Sequence, residues 1–530
     1  MPTSRSTPRD GSLGGGARRA LAGLLLPRHA GAQERPFIMK WDVHEWRYGR
    51  TQLDIPIYGD FSKYALRIEW ENEDGTERQK ITVNDVIEKY DWKNYKNEKI
   101  RLDINLKKGI YLVKVYCESA PYRIMGIDFS SYHYNHQHQA DWMYSNELIE
   151  IVSWGDFTWE KISFYGCKSL TIAPTAGKPN IALMKDLRGM FQNCWKVNPD
   201  LNDWDVRRVT RMDSMFYGCR AFNQPLDKWD VSNVTGMNSM FSGCQSFNQP
   251  LEGWNVSKVE DMGCMFDSCY AFNQPLEKWD LSHIRQREFR AYTSPYPNGI
   301  EQMLHNCKSF NQPIEKLDLK YITSIAGILA GCTAFNQPIE KWNLSNVEKL
   351  DHMLSGCTSF NQPVENLKIR RWATMKGMLS GCTAFNQPIE KWDLSNVKTL
   401  DNLLSGCTSF NQPVEKLKIT DATIKGMLSG CAAFNQPIEK WDLSNVEKLN
   451  NLLSGCTSFN QPLENLTVQH GATLNGMLRG CKSFNQPLEK WDVDHVKDMA
   501  GILDSCTAFN QPLADLKFSM RGDSSYNRYS

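Results

Sequence analysis

The chain has 530 residues, with 61 Lys and Arg against 60 Asp and Glu, a net charge of +1. That length disfavours a single compact core and favours several domains or an extended repeat array. The balanced charge supplies no field of one sign and argues against a dedicated nucleic-acid binder, and no run approaches the roughly 20 apolar residues needed to span a bilayer.

Residues 1–35 are rich in Gly, Ala and Arg, with Asp10 and Glu34 as their acidic residues. Arg18 and Arg19 precede the apolar run Ala20 to Leu26, and Ala30-Gly31-Ala32 follows as a small-residue cleavage site, the three parts of a secretory signal peptide. An Arg-rich organelle transit peptide and an extension outside the mature chain are the alternative readings. In every case the segment is left out of the fold.

Residues 36–130 carry short alternating runs at Ile55 to Tyr58, Ala65 to Trp70 and Ile100 to Leu106. A further run from Gly109 places Tyr111, Val113 and Val115 on one side at period two, and Glu73 to Thr76 reads as a turn. This pattern predicts a small all-β sandwich-like domain. Residues 131–144 read as a polar linker. Within it His133, His136 and His138, with Asp141, form the densest group of potential metal ligands. Three imidazoles bind zinc where they converge, but the flanking tyrosines and Gln137 suit an exposed linker, so no metal and no cofactor is assigned.

Residues 145–518 are repetitive. Phe-Asn-Gln-Pro starts at Phe222, Phe247, Phe272, Phe310, Phe335, Phe360, Phe385, Phe410, Phe434, Phe459, Phe484 and Phe509, at spacings of 25 except for one of 38 and one of 24. Degenerate copies reach back through Val197 to Leu170. Leu251, Trp254 and Val256 read as one short strand. Ser232 is placed to cap a helix carrying Val234, Met237 and Phe241 at steps of three and four, and Gly243 to end it. Each unit is therefore expected to be one strand and one short helix, an α+β repeat solenoid whose core exists only through stacking.

Fourteen of the 16 cysteines lie three residues before the phenylalanine position. Parallel side chains in register do not converge as a disulfide requires, and paired CxxC spacing is absent, so a buried thiol ladder is expected. The Asn of each Phe-Asn-Gln-Pro reads as an amide ladder in the turns. From Phe310 the units alternate, Leu317, Trp342, Leu367, Trp392 and onward, which implies duplication of a 50-residue block. Lys368, Asp393, Lys418 and Asp442 are then expected to face one another with alternating charge.

The unit at 222–244, Phe-Asn-Gln-Pro-Leu-x-x-Trp-Asp-Val-Ser-Asn-Val-x-x-Met-x-x-Met-Phe-x-Gly-Cys, closely resembles the repeat of BspA-like leucine-rich-repeat surface proteins, over about 70% of the chain. Residues 154–170 resemble that family's usual lead-in to the repeats. Ile68 to Thr76, with the Gly109 run, is similar to the PKD-like domain often placed before them. The resemblance implies a leucine-rich-repeat-like architecture and a secreted or surface-exposed protein engaged in adhesion.

Specificity is expected where the period breaks. The 13 extra residues before Phe310 carry Arg285, Arg287, Arg290, Tyr292 and Tyr296, types favoured at binding hot spots. Arg521-Gly522-Asp523, in the 519–530 tail or truncated cap, matches the tripeptide that integrins recognise. Asn233, Asn255, Asn343 and Asn465 fit the glycosylation pattern. Metalloprotease, serine-hydrolase, phosphate-loop and dinucleotide signatures are absent. The expectation is a monomeric, non-enzymatic secreted or surface protein that binds a protein or glycan, with an intracellular interaction scaffold as the alternative.

Overall fold

The computed structural model describes residues 35–43, 53–59, 66–82, 87–89, 98–102, 106–117, 124–129, 147–285, 297–420 and 422–513. They form two compact units. The first takes the described residues up to Asp128 with Glu147–Ile162 and Ala173–Met184, and the second takes Phe129, Ser163–Ile172 and the described residues from Lys185 onward.

The first unit is made of strands β1 (Phe37–Val43), β2 (Leu53–Gly59), β3 (Leu66–Asn72), β4 (Arg78–Thr82), β5 (Ile87–Lys89), β6 (Glu98–Leu102), β7 (Gly109–Cys117), β8 (Ile124–Asp128), β9 (Leu148–Trp154) and β10 (Thr158–Ser163). One sheet runs β9-β1-β7-β3-β4 and the other β10-β8-β2-β6-β5. Alternation decides which side is buried. Phe37, Met39, Trp41 and Val43 of β1, with Tyr111, Val113 and Val115 of β7, are all buried while their neighbours are partly exposed. The turn between β3 and β4 is held locally, with Asp74 accepting from the backbone and hydroxyl of Thr76.

In the second unit the repeats stack as rungs, but no helix occurs among the described residues, so the α+β solenoid with a helix in each repeat is incorrect. The segment expected to be helical is a series of tight turns tied to the next rung. In one rung Met212, Ser214, Phe216 and Gly218 donate their amides to the carbonyls of Gly236, Asn238, Met240 and Ser242, at 2.7–2.9 Å. The intervening amides close turns within the rung, Met215 to Met212, Tyr217 to Ser214 and Cys219 to Phe216. Left-handed residues recur four apart and reset the chain after each turn, as at Ser214 (φ 55°) and Gly218 (φ 73°) or Ser239 (φ 55°) and Gly243 (φ 76°).

This arrangement counterfeits a helix in sequence. A four-residue turn unit buries Met212, Met215, Phe216 and Cys219, the same steps of three and four that an amphipathic helix shows. A helix would spend its amides internally. Here every second amide bonds the neighbouring rung, so the backbone itself joins the stack. Ser232 does not cap a helix; its amide donates to Asp230 in a local turn. The expected strand in each repeat is mostly absent too. Trp254 N closes a turn on Leu251 O, and the one strand pair in the described repeats, Asp442–Leu443 with Thr467–Val468, is two residues long.

The side-chain ladders are regular. Phe222 to Phe509 stack rung upon rung with centroids 5.9–6.2 Å apart. Trp indoles lie inside, in consecutive units at Trp229, Trp254 and Trp279 and in alternate units from Phe310, each N–H donating to a carbonyl of the preceding rung, as Trp392 does to Val364 O at 2.8 Å. Each Asn Oδ1 accepts two bonds from the next rung, for example Asn336 from Asn361 N (2.9 Å) and Gln362 Nε2 (3.1 Å). All 16 cysteines are free, and the ladder thiols donate to a carbonyl of the rung before, as Cys382 does to Leu354 O at 3.1 Å.

The charge ladder lies beside the expected one. Among the described residues no ion pair joins Lys368, Asp393, Lys418 and Asp442. The pairs run instead from Lys341 to Glu315, Lys391 to Glu365 and Lys440 to Glu415, at 2.8–3.0 Å. Asp393 is occupied by the amide and hydroxyl of Ser395, whose hydrogen bonds hold its carboxyl below the usual range.

Candidate binding surface

Of the residues singled out around the insertion, Arg285 is described; Arg287, Arg290, Tyr292 and Tyr296 lie outside the described residues, as do Arg521, Gly522, Asp523, His133, His136, His138 and Asp141. Arg285 sits on the rung edge, its amide on Glu260 O at 2.9 Å and its guanidinium 3.5 Å from the Glu260 carboxylate. On the far side of the insertion, Pro297 O accepts from Asn238 Nδ2 at 2.8 Å and lies against Gly263, where a β-carbon would come within 2.4 Å of it. The glycosylation-pattern residues are engaged within the stack. Asn233 donates to Arg207 O, Asn465 to Glu439, and Asn255 and Asn343 accept from Ser257 and Ser345.

A stronger departure from the repeat stands two rungs further on. Trp372 and Tyr321 are each 57% exposed, in a stack whose other described tryptophans are buried or half-buried. By count from Phe360, Trp372 matches Val347, which is buried. Instead the backbone turns left-handed at Trp372 (φ 65°), Ala373 drops into the buried place and the indole is turned outward. The same backbone occurs at Gly471 (φ 79°) with Ala472 buried behind it. The bonding matches as well: Trp372 N donates to Asn396 O at 2.7 Å and Gly471 N to His495 O at 2.8 Å. Glycine fits this place without strain, whereas a large side chain there costs about 1–2 kcal/mol.

Arg371 is exposed beside Trp372, and two rungs earlier Lys320 lies 5.0 Å from the centroid of the Tyr321 ring. Arg370 is spoken for, bonded to Asn346 O and to Glu348 at 2.5 Å. The exposed indole with Arg371 beside it is suited to stacking and charge-assisted hydrogen bonds, and Tyr321 is a second exposed ring two rungs earlier. Sequence counting missed Trp372 because the repeat register places it in the core.

Asp492, Asp494 and His495 bring ligand atoms within 4.8 Å of one another on the exposed edge. The Val468 carbonyl at Nε2 and the Asp494 carboxylate raise the His495 pKa and favour the imidazolium, which is the wrong form for a metal ligand. The geometry is that of an ion-paired histidine.

These features define a repeat protein built of stacked rungs. Residues 185–294, 298–417 and 422–527 match the family described as Mycoplasma protein of unknown function, DUF285, and the chain belongs to that family. No curated protein matches the chain, and no solved structure does. No helix among the described residues is long and apolar enough to cross a membrane.

Proposed function

We propose that this chain is a non-catalytic binding protein, secreted or displayed at a cell surface, whose rung stack holds outward residues in place for contact with a protein or glycan. The observation that carries the reading is Trp372, a large apolar side chain on a backbone that glycine occupies in the corresponding rung at Gly471. Strain retained at an exposed aromatic is the mark of a contact residue. The resemblance of the repeat to BspA-like surface proteins supports the same role.

Trp372→Gly separates binding from folding. The variant is expected to be more stable by about 1 kcal/mol, through relief of the left-handed strain, and to lose binding to a ligand in a panel of purified neutral glycans and extracellular proteins. Retention of all wild-type binding by a stabilised variant overturns the reading.

A second reading, an intracellular interaction scaffold, is favoured by one observation: all 16 cysteines are free, as in a reducing compartment. Determination of the mature N-terminus and of the fraction of protein outside the cell distinguishes the two. A chain that keeps Met1 and stays in the cytosol favours the scaffold.

A further inference from the structure

We infer that a second surface of the stack binds an acidic polysaccharide, laid along the direction in which the rungs follow one another. Between each ladder cysteine and the next core position, two residues face outward. Across fourteen rungs, from Lys168-Ser169 to Thr507-Ala508, these places hold no Asp or Glu, where an even spread of the 60 acidic residues over the chain would put about three. The balanced net charge therefore conceals a strip that is basic or neutral throughout.

The first six rungs of the strip interleave cations with aromatic rings. Lys168 and Arg220 lie on either side of the Trp195 ring, at 4.7 and 4.2 Å from its centroid, and Lys308 lies 4.5 Å from that of Tyr270. Backbone bonds keep the columns in register: Ala221 N to Trp195 O, Ser246 N to Arg220 O, Ala271 N to Gln245 O and Ser309 N to Tyr270 O, at 3.1–3.2 Å. With rungs about 4.8 Å apart, Lys168, Lys196 and Arg220 set three positive charges along about 10 Å. Among the described residues none of these cations, nor Lys308, belongs to an ion pair. On another edge of the same rungs, Lys228, Lys278 and Lys316 are each paired with a carboxylate of the preceding rung.

The geometry selects among linear anions. Single-stranded nucleic acid needs open ring faces on which bases stack, and the Trp195 faces are covered by Lys168 and Arg220. An acidic peptide adding as a strand needs free backbone groups, and amides along these columns are spent on neighbouring rungs. What remains is recognition by side chains alone, on an open surface, of anionic groups repeated along a flexible chain. Aromatic rings in this strip act as spacers that hold the cations in line.

This inference rests on the reading of the chain as a binding protein but uses residues remote in the repeat from Trp372, so the two fail separately. The test compares full-length protein, Trp372→Gly and the quadruple variant Lys168→Gln, Lys196→Gln, Arg220→Gln, Lys308→Gln. Ligands are immobilised heparin and polygalacturonate, with polyglutamate, oligodeoxythymidylate and neutral dextran as alternatives, at low and high salt, and thermal unfolding confirms that each variant is folded. The wild type and Trp372→Gly are expected to bind heparin or polygalacturonate alike in a salt-dependent manner. The quadruple variant is expected to bind about tenfold or more weakly. Equal binding by the folded quadruple variant overturns the inference, as does tighter binding of polyglutamate or the oligonucleotide than of either polysaccharide. Absence of any polyanion binding alongside a Trp372-dependent ligand overturns this inference alone, whereas absence of all binding overturns both.

Discussion

Raising the pH through 9 is expected to unfold the rung stack in a steep transition, with every ladder thiol becoming reactive at once. Thirteen cysteines donate their S–H to a carbonyl of the rung before. Burial disfavours the thiolate and pushes these groups up, to about 12 for Cys407 and Cys456. In the unfolded chain a thiol ionises near pH 8.5. Below that pH both states hold the proton and stability is unaffected. Above it the unfolded state releases protons that the folded state retains, so each thiol lowers stability by about 1.4 kcal/mol per pH unit until its folded pKa is reached. Summed along the ladder, the loss exceeds the stability of ordinary domains between about pH 9 and 11. Tryptophan fluorescence and thiol titration against pH report the transition. A fold that persists at pH 11 with unreactive thiols contradicts the expected loss of stability, and one that persists with reactive thiols contradicts their burial.

The second large effect is expected at the stacked glycines. Gly331, Gly356, Gly381, Gly406, Gly430, Gly455 and Gly480 are all left-handed, with φ of 73–78°. A β-carbon on Gly381 would lie 3.5 Å from the Gly356 backbone. A methyl group is tolerated by distance but not by φ, and a branched side chain by neither. Gly381→Val is expected to lose about 3 kcal/mol or more, measured by urea unfolding. Gly253→Ala is the matched control, because Gly253 has nothing within 4 Å of an added β-carbon, and it is expected to change stability by less than about 0.5 kcal/mol. Equal effects of the two substitutions would remove the stacked glycines from the account of the fold.

The sequence revealed the ladders and misled about the backbone between them, for related reasons. Phe, Cys, Asn and Trp recur because each fills the same place on every rung, and recurrence is visible without coordinates. The helix was inferred from apolar steps of three and four, which a train of turns reproduces. A discriminating signal was present in the glycine pairs Gly327 and Gly331, Gly377 and Gly381, Gly426 and Gly430, and Gly476 and Gly480. Two glycines in five residues cost a helix about 2 kcal/mol, whereas left-handed turns require them. The contact surface was less legible. Trp372 faces outward because the buried place is filled one residue later, by Ala373, a backbone event that counting from Phe360 cannot reveal. The basic strip was hidden by averaging, since it emerges only when the residues after each cysteine are read as columns.

The other left-handed position of the rung has a genetic consequence. There a side chain in one rung folds over a glycine in the next. A β-carbon on Gly327, Gly377, Gly426 or Gly476 would strike Gln302, His352, Asn402 or Asn451 within 3.1 Å. From Gln302 to Gly476 the rungs are therefore paired, and removal of a single rung there would set two of these side chains against each other, an arrangement that the earlier rungs meet with the smaller Ser214, Ser239 and Cys264. Removal or gain of two rungs restores the match. Recombination within the stretch from Gln302 to Gly476 should accordingly be tolerated best in steps of two units, which leave its alternation intact.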